Sequence, residues 1–333
     1  MQFSQYFYDW LYAKEGYYSH YSHIGKSGDF YTAVSVSKFF GGSIAKKIIE
    51  TIHAGELPKD TTILEIGAHH GYLLADIIEF INTLAPELLD TLNFAIVERY
   101  EHLRQKQKEY FEESFGDVID LKHFNDIKEV RLNSAYVVAN EIFDAFPCEL
   151  VYEKEDEKQL VVVNDHQLEF IKNEQKELLE RCKKYEITKG ELAIGYDEFA
   201  QTMCDNIATF HFMSFDYGDI YPRNDFSTRI YAKHQVFPLF EEGLKLEDYF
   251  AQSDITYDVH FGYLIDCFEK AGAQKLSYET QLKALVEFGI IDLLEMVQKH
   301  ASEKEYLHEV QKVKTLLEPI GMGERFKMVL FKK

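Results

Sequence analysis

No apolar run in this sequence approaches the roughly 18 residues that a helix needs to cross a bilayer. The start of the chain also lacks the charged and then apolar pattern of a secretory signal. Mitochondrial transit peptides are rich in arginine and poor in acids, whereas here the first arginine is Arg99 and Asp9 and Glu15 come early. We therefore expect no membrane insertion and a cytoplasmic location.

Cysteine is scarce, and the few that occur are not paired in the sequence. The four cysteines are Cys148, Cys182, Cys204 and Cys267. Structural zinc sites and redox dithiols need closely spaced ligands, so this spacing argues against both. We expect four reduced thiols that act as small apolar residues, and no metal site.

Positive charge is also in short supply. The chain has 36 Lys and Arg against 57 Asp and Glu, which gives a formal net charge of −21. Nucleic-acid-binding proteins usually present clustered basic residues, so nucleic acid is excluded as the expected partner. A negative field favours a basic partner, such as an arginine- or lysine-bearing segment of a protein.

What the chain does have is enough apolar residues, 46% of 333, for a substantial core. No internal repeat or low-complexity tract interrupts it. The pattern predicts a helical N-terminal extension over 1–55, an alternating strand–helix core over 56–150, a β-rich insertion over 151–208, and a final region of strands and helices over 209–333.

The core and the segments beside it show the alternation typical of a doubly wound parallel sheet, that is, a Rossmann-like α/β fold. The predicted core elements are strand 63–66, helix 72–84, strand 94–97, helix 101–115, strand 118–121 and strand 135–139. The other predicted elements are helices 3–11 and 37–52, strands 150–152, 160–163, 168–171 and 209–216, a helix-rich segment 258–317, and strand 326–331.

A glycine-bounded turn follows the first core strand and leads into a helix. Residues 64–71 read Leu-Glu-Ile-Gly-Ala-His-His-Gly. Gly67 and Gly71 allow a tight turn and close approach of a ligand, and the helix N-terminus favours an anionic group. Glu65 precedes the turn. An ordinary strand-to-helix connection would have the same pattern.

Acidic residues at the ends of later strands complete a candidate ligand site. Glu98 follows the second strand, where a carboxylate can accept hydrogen bonds from both ribose hydroxyls of a nucleoside cofactor. No GxGxxG fingerprint is present, which argues against a nicotinamide enzyme. Asn140, Glu141 and Asp144 follow the strand at 135–139, at the edge where ligands of such sheets bind. Helix capping by Asn140 or Asp144 is the alternative.

Several motifs, in order along nearly the whole chain, resemble the MidA-like family, which includes the arginine methyltransferases of mitochondrial complex I assembly. The matching positions are 28–33 with 40–41, 65–71, 97–98 with 103–104 and 107, 140–141 with 143–145 and 147, 216–218, 254–256 with 259 and 261, 280–281, and 321–324 with 326–327.

The resemblance implies a Rossmann-like class I methyltransferase with S-adenosyl-L-methionine as cofactor, in which segment 56–150 is the cofactor-binding core. The inserted β/α subdomain and the C-terminal helical region then lie on the substrate side. The resemblance also implies an exposed arginine of a protein partner as methyl acceptor, with a respiratory-complex subunit as one candidate.

Site roles follow from this resemblance. We expect Glu65, Gly67, Gly71, Glu98 and Asn140 to bind the cofactor. Asp126, which follows the third strand, is expected to contact the adenine amino group, although a solvated loop acid is equally consistent with its position.

The acceptor side is expected to use Asp29, Glu141 and Asp144, which would orient the guanidinium and help remove its proton. We also expect segments 28–33 and 254–261 to line this side, because they carry Gly, Asp, His and aromatic residues outside regular periodicity.

The chain departs from the family pattern in the cofactor loop. Ala68, His69 and His70 replace the usual Pro-Gly-(Arg or Ser). A β-carbon at position 69 raises the energy of any conformation with positive φ. A non-catalytic, methyltransferase-like binding or assembly protein is therefore the alternative function.

Overall fold

The structure is a computed structural model, and it describes residues 1–20, 32–155 and 157–333. Its helices are α1 Phe3–Tyr12, α2 Tyr17–His20, α3 Ala33–Val36, α4 Phe39–His53, α5 Tyr72–Leu84, α6 Glu101–Phe115, α7 Lys176–Lys184, α8 Tyr196–Asn206, α9 Phe261–Lys270, α10 Gln281–Glu287, α11 Ile290–His300 and α12 Glu303–Leu317. Its strands are β1 Thr62–Ile66, β2 Asn93–Val97, β3 Leu121–Phe124, β4 Leu132–Asn140, β5 Cys148–Lys154, β6 Glu157–Asn164, β7 Gln167–Lys172, β8 Lys189–Ala193, β9 Ile207–Asp219, β10 Arg229–Ala232, β11 Gln235–Pro238, β12 Asp254–Thr256, β13 Val259–His260, β14 Gln274–Thr280 and β15 Phe326–Lys332.

The chain forms two compact units, each built from three separate segments. The sheet unit comprises 32–142, 199–216 and 268–333. The meander unit comprises 1–31, of which 1–20 are described, with 143–198 and 217–267. These boundaries differ from the four consecutive segments predicted from the sequence, because α1 and α4 of the predicted extension belong to different units.

The sheet unit contains the predicted doubly wound sheet, in the order β14-β15-β9-β4-β1-β2-β3. The strands from β9 to β3 pair in parallel, and β14 and β15 pair antiparallel. All five residues of β1 are buried, as expected for a parallel strand covered on both faces.

Close packing of α4 against α5 covers one face of this sheet. A β-carbon on Gly42 would lie 2.7 Å from the ring of Phe80, and one on Gly41 would lie 2.6 Å from the β-carbon of Asp76. The two glycines therefore allow the helices to approach. Phe40 extends from α4 to an edge-on ring contact with Phe215 of β9, at 4.9 Å between centroids. Full burial of such a ring stabilises the fold by about 1.5–3 kcal/mol.

One prediction for the sheet unit is wrong. The predicted strand 118–121 is displaced, because Gly116–Val118 form a 3-10 turn with Val118 78% exposed, and pairing with β2 begins only at Leu121. The predicted helix-rich segment is confirmed by α9 to α12, with the unpredicted strand β14 between α9 and α10. This edge strand has no buried residue and a polar sequence, so it lacks the alternation by which a strand is recognised.

The meander unit confirms the three predicted short strands. These strands, β5, β6 and β7, pair antiparallel in a four-stranded sheet with the unpredicted strand β8, in the order β7-β6-β5-β8. A second sheet, β11-β10-β12, was not predicted. Helix α1 is fixed within this unit by fully buried Phe3, Phe7 and Trp10, and the indole nitrogen of Trp10 donates to the Ser253 carbonyl at 2.7 Å. Among the described residues, no helix has both the length and the apolar character to span a membrane.

Candidate functional site

The candidate site begins at the carboxyl edge of the parallel strands, which end in register. Ile66 pairs with Val97 on one side and with Ala139 on the other. The residues just beyond the strands continue the backbone ladder. Gly67 N donates to Val97 O at 3.2 Å, Glu98 N to Phe124 O at 2.9 Å, and Glu141 N to Phe215 O at 2.8 Å.

Residues 67–71 form a turn with repeated left-handed backbone. Gly67, His69 and Gly71 have φ of 74°, 48° and 80°. The strain expected at position 69 is therefore present, since residues with a β-carbon rarely adopt this region. Helix α5 begins directly after the turn, and the first amides of a helix have no partner within it, which makes this end suited to an anion.

Glu65 caps the N-terminus of α5. Its carboxyl group accepts a hydrogen bond from Leu74 N at 3.0 Å. Gly71 occupies the N-cap position of α5 and has no side chain, so the carboxyl group from β1 supplies the missing cap. Burial raises the pKa of Glu65 to about 8, although the Leu74 bond opposes that shift. This geometry gives Glu65 a role in supporting the helix end, and the direct cofactor contact expected from the sequence stays a prediction.

Glu98 is 6% exposed and is held in a polar setting at the end of β2. Tyr100 N donates to its carboxylate at 3.0 Å. Burial raises the pKa of Glu98 to about 6, against the opposing effects of the Tyr100 bond, the Arg104 charge and a hydrogen bond from Gln107. At neutral pH the carboxylate is therefore mostly charged and is an acceptor.

Asp126 caps a short turn after β3. Its carboxylate accepts from Lys128 N at 2.9 Å, at the start of the 3-10 turn Ile127–Glu129. The residue lies at the carboxyl edge as expected. This side-chain hydrogen bond is to a backbone amide two residues along the chain.

Asn140 and Glu141 form a paired group after β4. Asn140 Nδ2 donates to Glu141 Oε1 at 2.8 Å, and Glu141 has a φ of 53°. This bond orients the amide, because a carboxylate can only accept. Asn140 Oδ1 is then buried with no hydrogen-bond partner among the described residues. A buried acceptor of this kind needs a donor, and a ligand with an ammonium group would supply one.

Asp144 belongs to the meander unit, whereas Glu141 belongs to the sheet unit. Asp144 is 4% exposed and lies in the short turn Phe143–Ala145. Burial raises the pKa of its carboxyl group, and a hydrogen bond from Tyr217 and the charge of Arg229 oppose the rise. Within its unit, Asp144 is engaged by a buried tyrosine–arginine group. The expectation that one short turn presents both carboxylates to the acceptor stays a prediction.

Arg229 is the centre of that group, and the sequence prediction missed it. Its guanidinium carbon lies 4.6 Å from the ring centre of Tyr217, and its Nη2 donates to Asp258 at 2.5 Å. Burial lowers the pKa of Arg229, but Tyr217 and Asp258 outweigh this effect and hold the pKa above its usual range. Tyr217 also bonds to Thr256. The sequence signal that could have identified Arg229 is the presence of an arginine in a short apolar strand, β10.

The predicted segment 254–261 contributes further buried polar groups to the meander unit. Asp254 is 2% exposed and accepts from the Tyr18 hydroxyl at 3.0 Å. The other expected acceptor-side residue, Asp29, and most of segment 28–33 lie outside the described residues. Over the described ranges, no group of three or more His, Cys, Asp and Glu is arranged to hold a metal ion.

This sheet, with its glycine turn and its strand-end acids, defines the class of α/β proteins that bind a nucleoside cofactor at the carboxyl edge of a parallel sheet. A family model described as "Putative S-adenosyl-L-methionine-dependent methyltransferase" matches residues 43–279. The chain belongs to this family, and its cofactor is S-adenosyl-L-methionine.

Relatives and solved structures agree with this assignment. The chain is 24% identical over 350 residues to "Protein arginine methyltransferase NDUFAF7, mitochondrial" of Danio rerio, covering 93% of this chain and 78% of that protein. The Xenopus laevis protein of the same name is 23% identical, with 94% and 76% covered. A crystal structure from Burkholderia thailandensis bound to S-adenosyl-homocysteine shares the fold, with a TM-score of 0.85, 24% identity, and 100% of this chain and 88% of that chain covered.

The residues at the carboxyl edge fit the cofactor chemically. The unpartnered Asn140 Oδ1 would accept from its ammonium, the N-terminus of α5 would face its carboxylate, and Glu98 would accept from its ribose hydroxyls. The bound cofactor supplies an electrophilic methyl group on a sulfonium. The protein supplies position and charge.

Proposed function

We propose that the protein methylates an arginine side chain of a protein partner. The observation that carries the proposal is the family membership together with relatives named as protein arginine methyltransferases over more than nine-tenths of this chain. The net charge of −21 supports a basic acceptor. A subunit of a respiratory complex is one candidate partner.

In the proposed reaction the arginine nitrogen attacks the methyl carbon in line with the carbon–sulfur bond. That bond breaks, its electron pair stays on sulfur, and S-adenosyl-homocysteine leaves as the guanidinium loses one proton. Catalysis then consists mainly of positioning. Asp29, Glu141 and Asp144 are the carboxylates that we propose orient the acceptor, since carboxylates hold a planar guanidinium in a defined geometry.

Labelled cofactor tests the proposal when it is incubated with the protein and a lysate from a strain that lacks the gene. We expect label on arginine of one or a few proteins. Label on lysine, on nucleic acid or on a small molecule would reject arginine as the acceptor.

The variant Asp144→Asn separates acceptor and cofactor roles. It keeps the size of the side chain and removes its charge, so we expect it to suppress transfer by about tenfold or more while cofactor affinity stays within about twofold. Asp165→Asn is the matched control, since Asp165 is an exposed residue of the same unit and its φ of 46° suits asparagine. Equal activity in both variants would remove Asp144 from the acceptor site.

One observation supports the second candidate, a binding or assembly protein without catalysis: the left-handed backbone at His69 within the cofactor loop. Calorimetric titration with S-adenosylmethionine, S-adenosyl-homocysteine and NAD distinguishes the candidates. Binding of the first two supports the enzyme, binding of none supports the assembly protein, and binding of NAD alone would contradict both.

A further inference from the structure

The cofactor loop rests directly on helix α6. A β-carbon placed on Gly71 would lie 3.0 Å from the ring of Phe111 and 3.6 Å from Cγ of Gln107. The missing side chain at position 71 therefore allows the loop and the helix to touch. Both α6 residues are buried, Gln107 completely.

Gln107 makes hydrogen bonds to two parts of the sheet unit. Its Nε2 donates to the carbonyl oxygen of His69 at 2.8 Å, and its Oε1 lies 2.9 Å from His123 Nε2. The His69 carbonyl can only accept, so the amide orientation is fixed, and His123 must donate through Nε2. Burial lowers the pKa of His123 to about 4, so the ring is neutral at pH 7 and its single proton is on Nε2.

One side chain thus connects the cofactor loop and strand β3. The cofactor loop needs such support because its residue His69, whose carbonyl accepts from Gln107, has a φ of 48°. A residue with a β-carbon rarely adopts this φ.

We propose that Gln107 is a positioning residue for cofactor binding, which fixes the His69 carbonyl of the cofactor loop, with His123 as its own support. The proposal rests on the assignment of the carboxyl edge as the cofactor site. It does not depend on which group accepts the methyl.

The test compares Gln107→Leu with Gln105→Leu by calorimetric titration of S-adenosyl-homocysteine. Gln105 lies on the same helix but is exposed and bonds only to Glu109 of that helix. We expect Gln107→Leu to weaken binding at least about tenfold, equivalent to about 1.4 kcal/mol, and Gln105→Leu to leave it within about twofold. Equal affinities in the two variants would overturn the proposal.

Two further measurements distinguish positioning from a loss of folding. His123→Phe leaves the bond to His69 and removes only its support, so we expect about threefold weaker binding with little change in Tm. In a double-mutant cycle, His123→Phe and Gln107→Leu should be non-additive, because they act on one arrangement. Additive effects, or a lowered Tm with unchanged affinity, would make Gln107 purely structural. Absence of binding by the wild-type protein would instead reject the cofactor site itself.

Discussion

Glu65 is an acid that the fold buries and uses as a backbone acceptor. Its pKa of about 8 exceeds its ordinary value of 4.5, so between these pH values the folded protein holds a proton that the unfolded chain has released. Stability therefore falls as pH rises from about 5 to 8, by up to about 1.4 kcal/mol per pH unit from this group.

The variant Glu65→Gln tests this predicted pH dependence of stability. Glutamine still accepts from Leu74 N but does not titrate, so we expect a weaker decrease of the free energy of unfolding between about pH 5 and 8. Urea denaturation across this range measures the difference from wild type. Glu113→Gln, on the exposed surface of α6, is the control and should follow the wild-type curve. Parallel curves for all three proteins would show that Glu65 titrates normally.

At the scale of elements, the junction of the cofactor loop with α5 and α6 depends on Gly71. Gly71→Ala introduces both an unfavourable left-handed backbone, about 1–2 kcal/mol, and a contact at 3.0 Å with Phe111, about 1–3 kcal/mol of overpacking. Gly55→Ala has the same backbone cost at a φ of 74° but open space around its β-carbon. We expect Gly71→Ala to lose more stability and also cofactor affinity. A smaller loss of stability in Gly71→Ala than in Gly55→Ala would show that the cofactor loop can shift away from α6 without cost.

The same elements show what the sequence could predict. Helices α5 and α6 were predicted with their observed bounds, because apolar periodicity and local end signals define them. Gly67, Glu98 and Glu141 were expected at one edge, since parallel strands end together. The role of Glu65 as a helix cap could not be predicted, nor could the buried Tyr217–Arg229 group that engages Asp144. Both depend on pairings between distant segments that no local pattern encodes.

At the scale of the whole molecule, the excess of acidic residues should favour binding of a basic acceptor protein. If it does, raising ionic strength from about 0.05 M to about 0.5 M, which shortens the Debye length severalfold, should raise KM for the protein acceptor while kcat changes little. Affinity for S-adenosyl-homocysteine should stay within about twofold over the same range, which serves as the internal control. An acceptor KM that is independent of salt would mean that the net charge serves solubility alone.

Strand β15 is an interior strand of the sheet, between β9 and β14, although it follows every other described strand in the sequence. Phe210 and Lys333 exchange both backbone hydrogen bonds there, at 2.9 and 3.0 Å. During translation, the apolar edge of β9 therefore stays unpaired until β15 has been synthesised. Adding the intervening chain takes on the order of ten seconds. An exposed edge of this kind invites pairing with other nascent chains, so we expect synthesis of this protein to depend on chaperones more strongly than its finished structure would suggest.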